Sequence, residues 1–179
     1  MGGVDKGLLP APSGERTLVE RWQGMLARAG VRCVLVGRRA AYASNVSNTS
    51  SSFASVLDDA EPGRGPLGGL VALLEAAGPG VALALACDMP YVSEGLLSRL
   101  LDAPACAVLA PRRGGRWEPL CARYDAPIAL PVARARLARG QLGLQGLLDE
   151  LGARELALAD DEARELDDWD TPEDRAARR

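Results

Sequence analysis

Residues 31–36, 81–86 and 106–110 are short runs rich in apolar and β-branched side chains, and stretches of helical period lie between them. Such runs suit strands buried on both faces, which requires helices on both sides of a sheet. Residues 18–29 place Leu18, Val19, Trp22, Met25 and Leu26 at helical spacing and stop at Gly30. Residues 67–77 follow a Gly-Arg-Gly-Pro turn, and 93–101 open on Ser93 as an N-cap. The same reasoning predicts helices over 126–139 and 144–151 and strands over 119–124 and 153–158. Residues 43–55 read as a solvated Ser/Asn-rich loop, and 112–117 as a turn around Gly114 and Gly115. Thr171 and Pro172 read as a helix start. The alternation predicts one α/β domain over 1–179, with a mainly parallel sheet and helices on both faces.

Composition removes several kinds of chemistry. The chain has no histidine, so Ser-His-Asp catalysis and His-ligated zinc are excluded. Cys33, Cys87, Cys106 and Cys121 have no metal-ligand spacing and read as free thiols of a reducing cytosol. A net charge of −3 offers no basic surface for nucleic acid, and aromatics at 4% offer no stacking platform. No apolar stretch reaches membrane-spanning length. The expected setting is cytoplasmic, with neither nucleic acid nor membrane as partner.

Three segments carry the chemical signal. Lys6 is the only lysine, in a glycine-rich opening, in a chain whose other cations are all arginine. A compact ammonium on a flexible stem suits a phosphate held beside a backbone loop; a surviving surface lysine is the bland alternative. The run 81–86 ends in Cys87-Asp88-Met89-Pro90, an acid at a strand's carboxyl end. In open α/β sheets ligands bind there, and a carboxylate can hold Mg²⁺ against phosphates. An Asp that merely caps the next turn would read the same way. The third segment places Asp58 and Asp59 before Gly65-Pro66-Leu67-Gly68-Gly69 and a helix. Backbone N–H groups at that helix start suit an anion or a base, while an acidic surface loop is the alternative.

In order, Met1–Leu9, Asp59 with Gly65–Leu70, Cys87–Pro90, Pro119–Tyr124 and Asp170–Asp174 resemble the landmarks of molybdenum cofactor guanylyltransferases over nearly the whole chain. The Cys-Asp-x-Pro and Asp-Thr-Pro-Glu-Asp segments are shared with related pterin cytidylyltransferases. The resemblance implies a Rossmann-like three-layer nucleotidyltransferase fold. It also implies transfer of GMP from GTP to the terminal phosphate of Mo-molybdopterin, with release of pyrophosphate. The attacking phosphate oxygen is already anionic, so no His or Ser nucleophile is needed, and catalysis is positioning and charge neutralisation. By this resemblance Asp88 holds Mg²⁺, Lys6 offsets phosphate charge, and Asp59 contacts the guanosine end, with Asp58 its less favoured neighbour. Gly65, Pro66, Leu67 and Gly68 would line the nucleotide. Arg112, Arg116, Asp168 and Asp170 are the acceptor-side candidates, and proteins of molybdenum cofactor biosynthesis or acceptor proteins are the implied partners.

The chain departs from that pattern in three places. The family signature begins earlier, with a strand, a glycine-rich loop and an Arg, whereas this sequence starts at the Met of that signature. The expectation is that a central strand lies upstream, has been lost, or comes from another polypeptide by β-augmentation. Val36-Gly37 stands where relatives often carry Asn, and Asp168-Trp169-Asp170 stands for Asn-x-Asn. Two carboxylates near a phosphate-bearing acceptor repel it unless Mg²⁺ or Arg intervenes. CTP or another phosphate acceptor, and an inactive or partner-dependent binding subunit, are the competing readings.

Overall fold

The computed structural model describes residues 6–12, 17–37, 55–58 and 63–169. The strands are β1 (Val34–Val36), β2 (Ser55–Leu57), β3 (Val81–Leu85), β4 (Val108–Ala110), β5 (Arg112–Arg113), β6 (Arg116–Trp117), β7 (Cys121–Asp125) and β8 (Arg154–Glu155). The helices are α1 (Leu18–Arg28), α2 (Gly65–Ala77), α3 (Glu94–Asp102), α4 (Ala126–Ala138), α5 (Leu144–Glu150) and α6 (Asp160–Ala163), with 3-10 turns at Lys6–Leu8 and Arg164–Leu166. Asp59, Asp170, the predicted helix start at Thr171 and all but the last residue of the predicted loop 43–55 lie outside the described residues.

Local chemistry sets the helix ends. Thr17 and Glu20 form a reciprocal capping box at the start of α1. At its other end Gly30 N–H donates to the Ala27 carbonyl and Val31 N–H to the Leu26 carbonyl, a Schellman closure. Ser93 caps α3 by accepting from Leu96 N–H at 3.1 Å. Gly65 opens α2 at φ +62°, a left-handed conformation that explains a glycine immediately before Pro66.

The sheet is mixed. β1 pairs β2 in parallel, and a second sheet has the order β3-β7-β4-β8. β4 and β8 are parallel, while β7 runs antiparallel between β3 and β4. Apolar periodicity carries no strand direction, so the mainly parallel expectation misses the reversal at β7. The stretch 112–117 is a small hairpin of β5 and β6 rather than a bare turn. Its Gly114 and Gly115 both have positive φ, as a two-residue hairpin turn demands. β2 begins at the last residue assigned to the loop, hidden by its serines.

Two cores flank the second sheet. Leu67, Leu70, Val71 and Leu74 of α2 pack with Ala129 and Ala133 of α4 and Leu147 of α5 against one face. Trp22, Met25 and Leu26 of α1 pack with Leu96, Leu97 and Leu100 of α3 on the other. This is the helix–sheet–helix layering expected of an α/β domain. Arg123 of β7 is the exception within that core, at 5% exposure. Its guanidinium donates to the carbonyls of Leu101, Ala103 and Pro104, satisfying oxygens at and just past the end of α3.

Candidate active site

β3 delivers its carboxyl end to a turn, and Asp88 sits in that turn. The Lys6–Leu8 turn lies against it, so that Lys6 Nζ donates to Asp88 Oδ2 at 2.9 Å. Both side chains are partly open to solvent, at 29% and 22% exposure. An ion pair that exposed contributes only about 0–1 kcal/mol to stability. Holding the only lysine beside a strand-end carboxylate therefore makes little sense as a stability device, and good sense as a charge site facing solvent.

The Lys6 segment is closed on itself. Leu9 N–H donates to the Lys6 carbonyl at 3.1 Å, Leu18 N–H donates to the Leu9 carbonyl at 2.9 Å, and Pro10 bridges to Thr17. Leu9, Ala11 and Leu18 then pack with Trp169 and Tyr91. Trp169 N–H donates to the Asp88 carbonyl at 3.0 Å, and its indole N–H donates to Tyr91 Oη at 3.1 Å. The start of the chain, the Asp88 turn and the segment near residue 169 thus meet at one place.

A slot of about 680 Å³ runs from this point along β3. β1 and β3 form its two sides, Trp22 and Leu26 of α1 line one face, and Leu70 and Leu73 of α2 line the other. Gly65, Pro66 and Asp88 also line it, so the first turn of α2 and the Asp88 carboxylate share one cavity. Leu67 and Gly68 are buried, Leu67 at 0% exposure in the core, and neither lines the slot. Among the described ladders β1 and β3 do not pair with one another. The Trp22 indole N–H is buried without a hydrogen-bond partner. Burial pushes the Cys33 thiol, which also lines the slot, up to about 11.

The acceptor-side candidates separate. Arg112 lies over the Trp117 ring at 3.8 Å from its centroid, so its guanidinium face is already engaged. Arg116 is exposed on β6. Arg113, grouped with Arg112 and Arg116 in the same turn, binds Glu118 at 3.0 Å and Asp167 at 3.2 Å and ties the hairpin to the segment preceding Trp169. Burial raises the Glu118 carboxyl above its ordinary range, with Asp168 adding to the rise and Arg113 and Arg116 opposing it. Asp168, Arg113, Arg116 and Glu118 therefore make one charged neighbourhood. Asp58 is exposed at the end of β2. Among the described residues no group of three or more Cys, Asp or Glu gathers as a metal cage. A lone Asp88 suits Mg²⁺, which takes one or two carboxylates and leaves its other positions to phosphates and water.

The sequence profile of the MobA-like NTP transferase domain matches residues 1–155. The molybdenum cofactor guanylyltransferase of Xanthomonas euvesicatoria is 33% identical over 178 residues, covering 96% of this chain and 84% of that protein. The Pseudomonas aeruginosa protein of the same name is 32% identical over 190 residues, covering 97% and 85%. In structure, the chain is similar to molybdopterin-guanine dinucleotide biosynthesis protein A of Archaeoglobus fulgidus, with a TM-score of 0.75 at 22% identity, covering 97% and 88%. It is also similar to 2-C-methyl-D-erythritol 4-phosphate cytidylyltransferase of Thermus thermophilus, with a TM-score of 0.71 at 19% identity, covering 96% and 90%. At those identities the structural likeness speaks for the fold. Among the described residues no helix is long and apolar enough to cross a membrane.

Proposed function

We propose that this chain, a nucleotidyltransferase belonging to the MobA-like NTP transferase family, transfers GMP from GTP to the terminal phosphate of Mo-molybdopterin. The products are molybdopterin guanine dinucleotide and pyrophosphate. The observation that carries this reading is the Lys6–Asp88 pair at the carboxyl end of β3. It places one cation and one metal-competent carboxylate at the topological position where α/β sheets bind ligands.

The chemistry asks little of the protein beyond position and charge. An acceptor phosphate oxygen attacks the α-phosphorus of GTP, the bond to the bridging oxygen of the β-phosphate breaks, and pyrophosphate leaves. Asp88 would hold Mg²⁺, which would supply neutralisation of phosphate charge. Lys6, on its flexible stem, is assigned to the phosphates, where its ammonium offsets their negative charge. Gly65 and Pro66 at the start of α2 are assigned to the nucleotide, with the buried Leu67 and Gly68 holding that turn in the core. Asp59 is assigned to the guanosine end. Arg116, with Arg112, Asp168 and Asp170, is assigned to the acceptor side. The reaction belongs to the cytoplasm, and its partners are GTP, Mo-molybdopterin and the proteins that make or receive the cofactor.

The slot favours a second reading of how the site becomes active. Two strand edges form its sides and helices close its faces, which is the environment of a strand inside a sheet. We propose that one extended segment completes the sheet there and brings backbone N–H groups to the nucleotide. Competition between nucleotides tests the main reading. GTP should support pyrophosphate release with Mo-molybdopterin and CTP should not displace it; CTP outcompeting GTP would overturn the assignment to guanylyl transfer.

A further inference from the structure

We propose that Trp169 is a positioning residue that sets the register of Lys6 on Asp88; the inference rests on the assignment of those two residues to the nucleotide site. Trp169 is only 4% exposed and touches both sides of the pair. Its backbone N–H holds the Asp88 carbonyl at 3.0 Å. Its ring packs among Leu9, Ala11 and Leu18, the residues that close the Lys6 segment. Tyr91, three residues beyond Asp88, meets the indole edge-on at 6.2 Å between centroids and accepts its N–H. One residue therefore joins the segment that carries the cation, through its ring, to the turn that carries the carboxylate, through its backbone N–H to Asp88 and its indole N–H to Tyr91.

Position decides whether such a pair works. An ammonium on a four-carbon stem reaches many places, and an exposed pair holds it only weakly. What keeps Lys6 beside Asp88 is the distance between their backbones, and Trp169 is bound to both segments, packing on Leu9, Ala11 and Leu18 and donating its backbone N–H to the Asp88 carbonyl. The Trp169 segment is in turn anchored from both sides of residue 166. Glu165 accepts the Ser93 N–H at 2.8 Å, and Asp167 pairs with Arg113 at 3.2 Å. Those two contacts link the acceptor-side hairpin and α3 to the same pin.

Because Lys6 is the only lysine, its reactivity reports its own position. The test is the acylation rate of Lys6 by a lysine-selective reagent, followed by peptide mass mapping that separates it from the α-amino group. No nucleotide is needed, so failure of this inference stays distinct from failure of the functional assignment. Asp88→Asn gives the rate without the Asp88 charge. Trp169→Ala should approach that rate, about three- to fivefold above the parent, the scale of an exposed ion pair. Trp169→Phe, which keeps the packed ring and the backbone N–H, should stay near the parent. Leu147→Ala, a core truncation remote from the pair, should lower stability without changing Lys6. In turnover Trp169→Ala should lower kcat more than it raises KM for nucleotide, with Trp169→Phe restoring most of it. If Trp169→Ala does not fold, Trp169→Leu takes its place. A parental Lys6 rate in a folded Ala or Leu variant overturns the proposal. So does failure of both variants to fold, which would make Trp169 simply a scaffold residue.

Discussion

Val34-Leu35-Val36 of β1 and Val108-Leu109-Ala110 of β4 are nearly the same peptide with different fates. Every residue of β4 is buried, and every residue of β1 is only partly so. β4 has β7 on one side and β8 on the other, whereas β1, among the described residues, is laddered to β2 alone and faces the slot. β3 shows both conditions in one strand. Ala82 and Ala84 are buried, yet Val81 is 58% exposed and Leu83 and Leu85 are partly open. Apolar composition made these strands, but the neighbours on each edge decide how far they are buried. The closed half of the sheet supplies rigidity, and the half beside the slot carries Asp88 and the first turn of α2.

The largest expected effect lies in the closed half. Leu109→Ala should cost about 2–5 kcal/mol in chemical denaturation, since Leu109 is 2% exposed and its loss leaves a cavity. Leu35→Ala, in a wall that is already open, should cost about 1 kcal/mol, the scale of partial apolar burial. Equal costs would break the contrast between the halves. Next comes Arg123→Ala, which leaves the carbonyls of Leu101, Ala103 and Pro104 without their donor. It should lower stability by about 1–3 kcal/mol.

Filling the slot should change the open half selectively. In protein purified from its native cells, a strand seated between β1 and β3 would slow amide exchange in both strands. It would also slow alkylation of Cys33, whose thiol burial has already pushed to about 11. Slow Cys33 alkylation joined to fast β1 and β3 exchange would contradict that reading. The smallest effect concerns pH. Burial raises the folded-state pKa of Glu118, so the folded protein binds more protons than the unfolded chain between the ordinary and the raised value. Stability should therefore fall as pH rises through that window, and Glu118→Gln should flatten the fall.

The sequence shows the closed half more clearly than the open one, for physical reasons. Runs such as 81–86 and 106–110 announce strands because burial on both faces demands continuous apolar side chains. Ser93 and Gly30 announce helix ends because caps are local. The antiparallel course of β7 is written in no period, and the serines before β2 conceal a strand. Asp88 and Lys6 were legible as a strand-end acid and a lone lysine, but their contact across 82 positions of chain was not. Trp169 and Glu165 escaped notice because each acts through partners far away in sequence. Arg123 left a trace, a cation inside an otherwise apolar strand, whose partners only the fold reveals.

The proposed nucleotide site is built on Lys6 and Asp88. Its most direct test is pyrophosphate release from GTP with Mo-molybdopterin, comparing protein purified from its native cells with an Asp88→Asn variant expressed in the same cells. The parent should turn over only with added Mg²⁺. Asp88→Asn should lose about 10²–10³-fold in kcat, the scale of removing one electrostatic group from a transition state, while keeping its folded-state stability. Parental turnover in a folded Asp88→Asn variant would contradict the account and move the site away from the carboxyl end of β3.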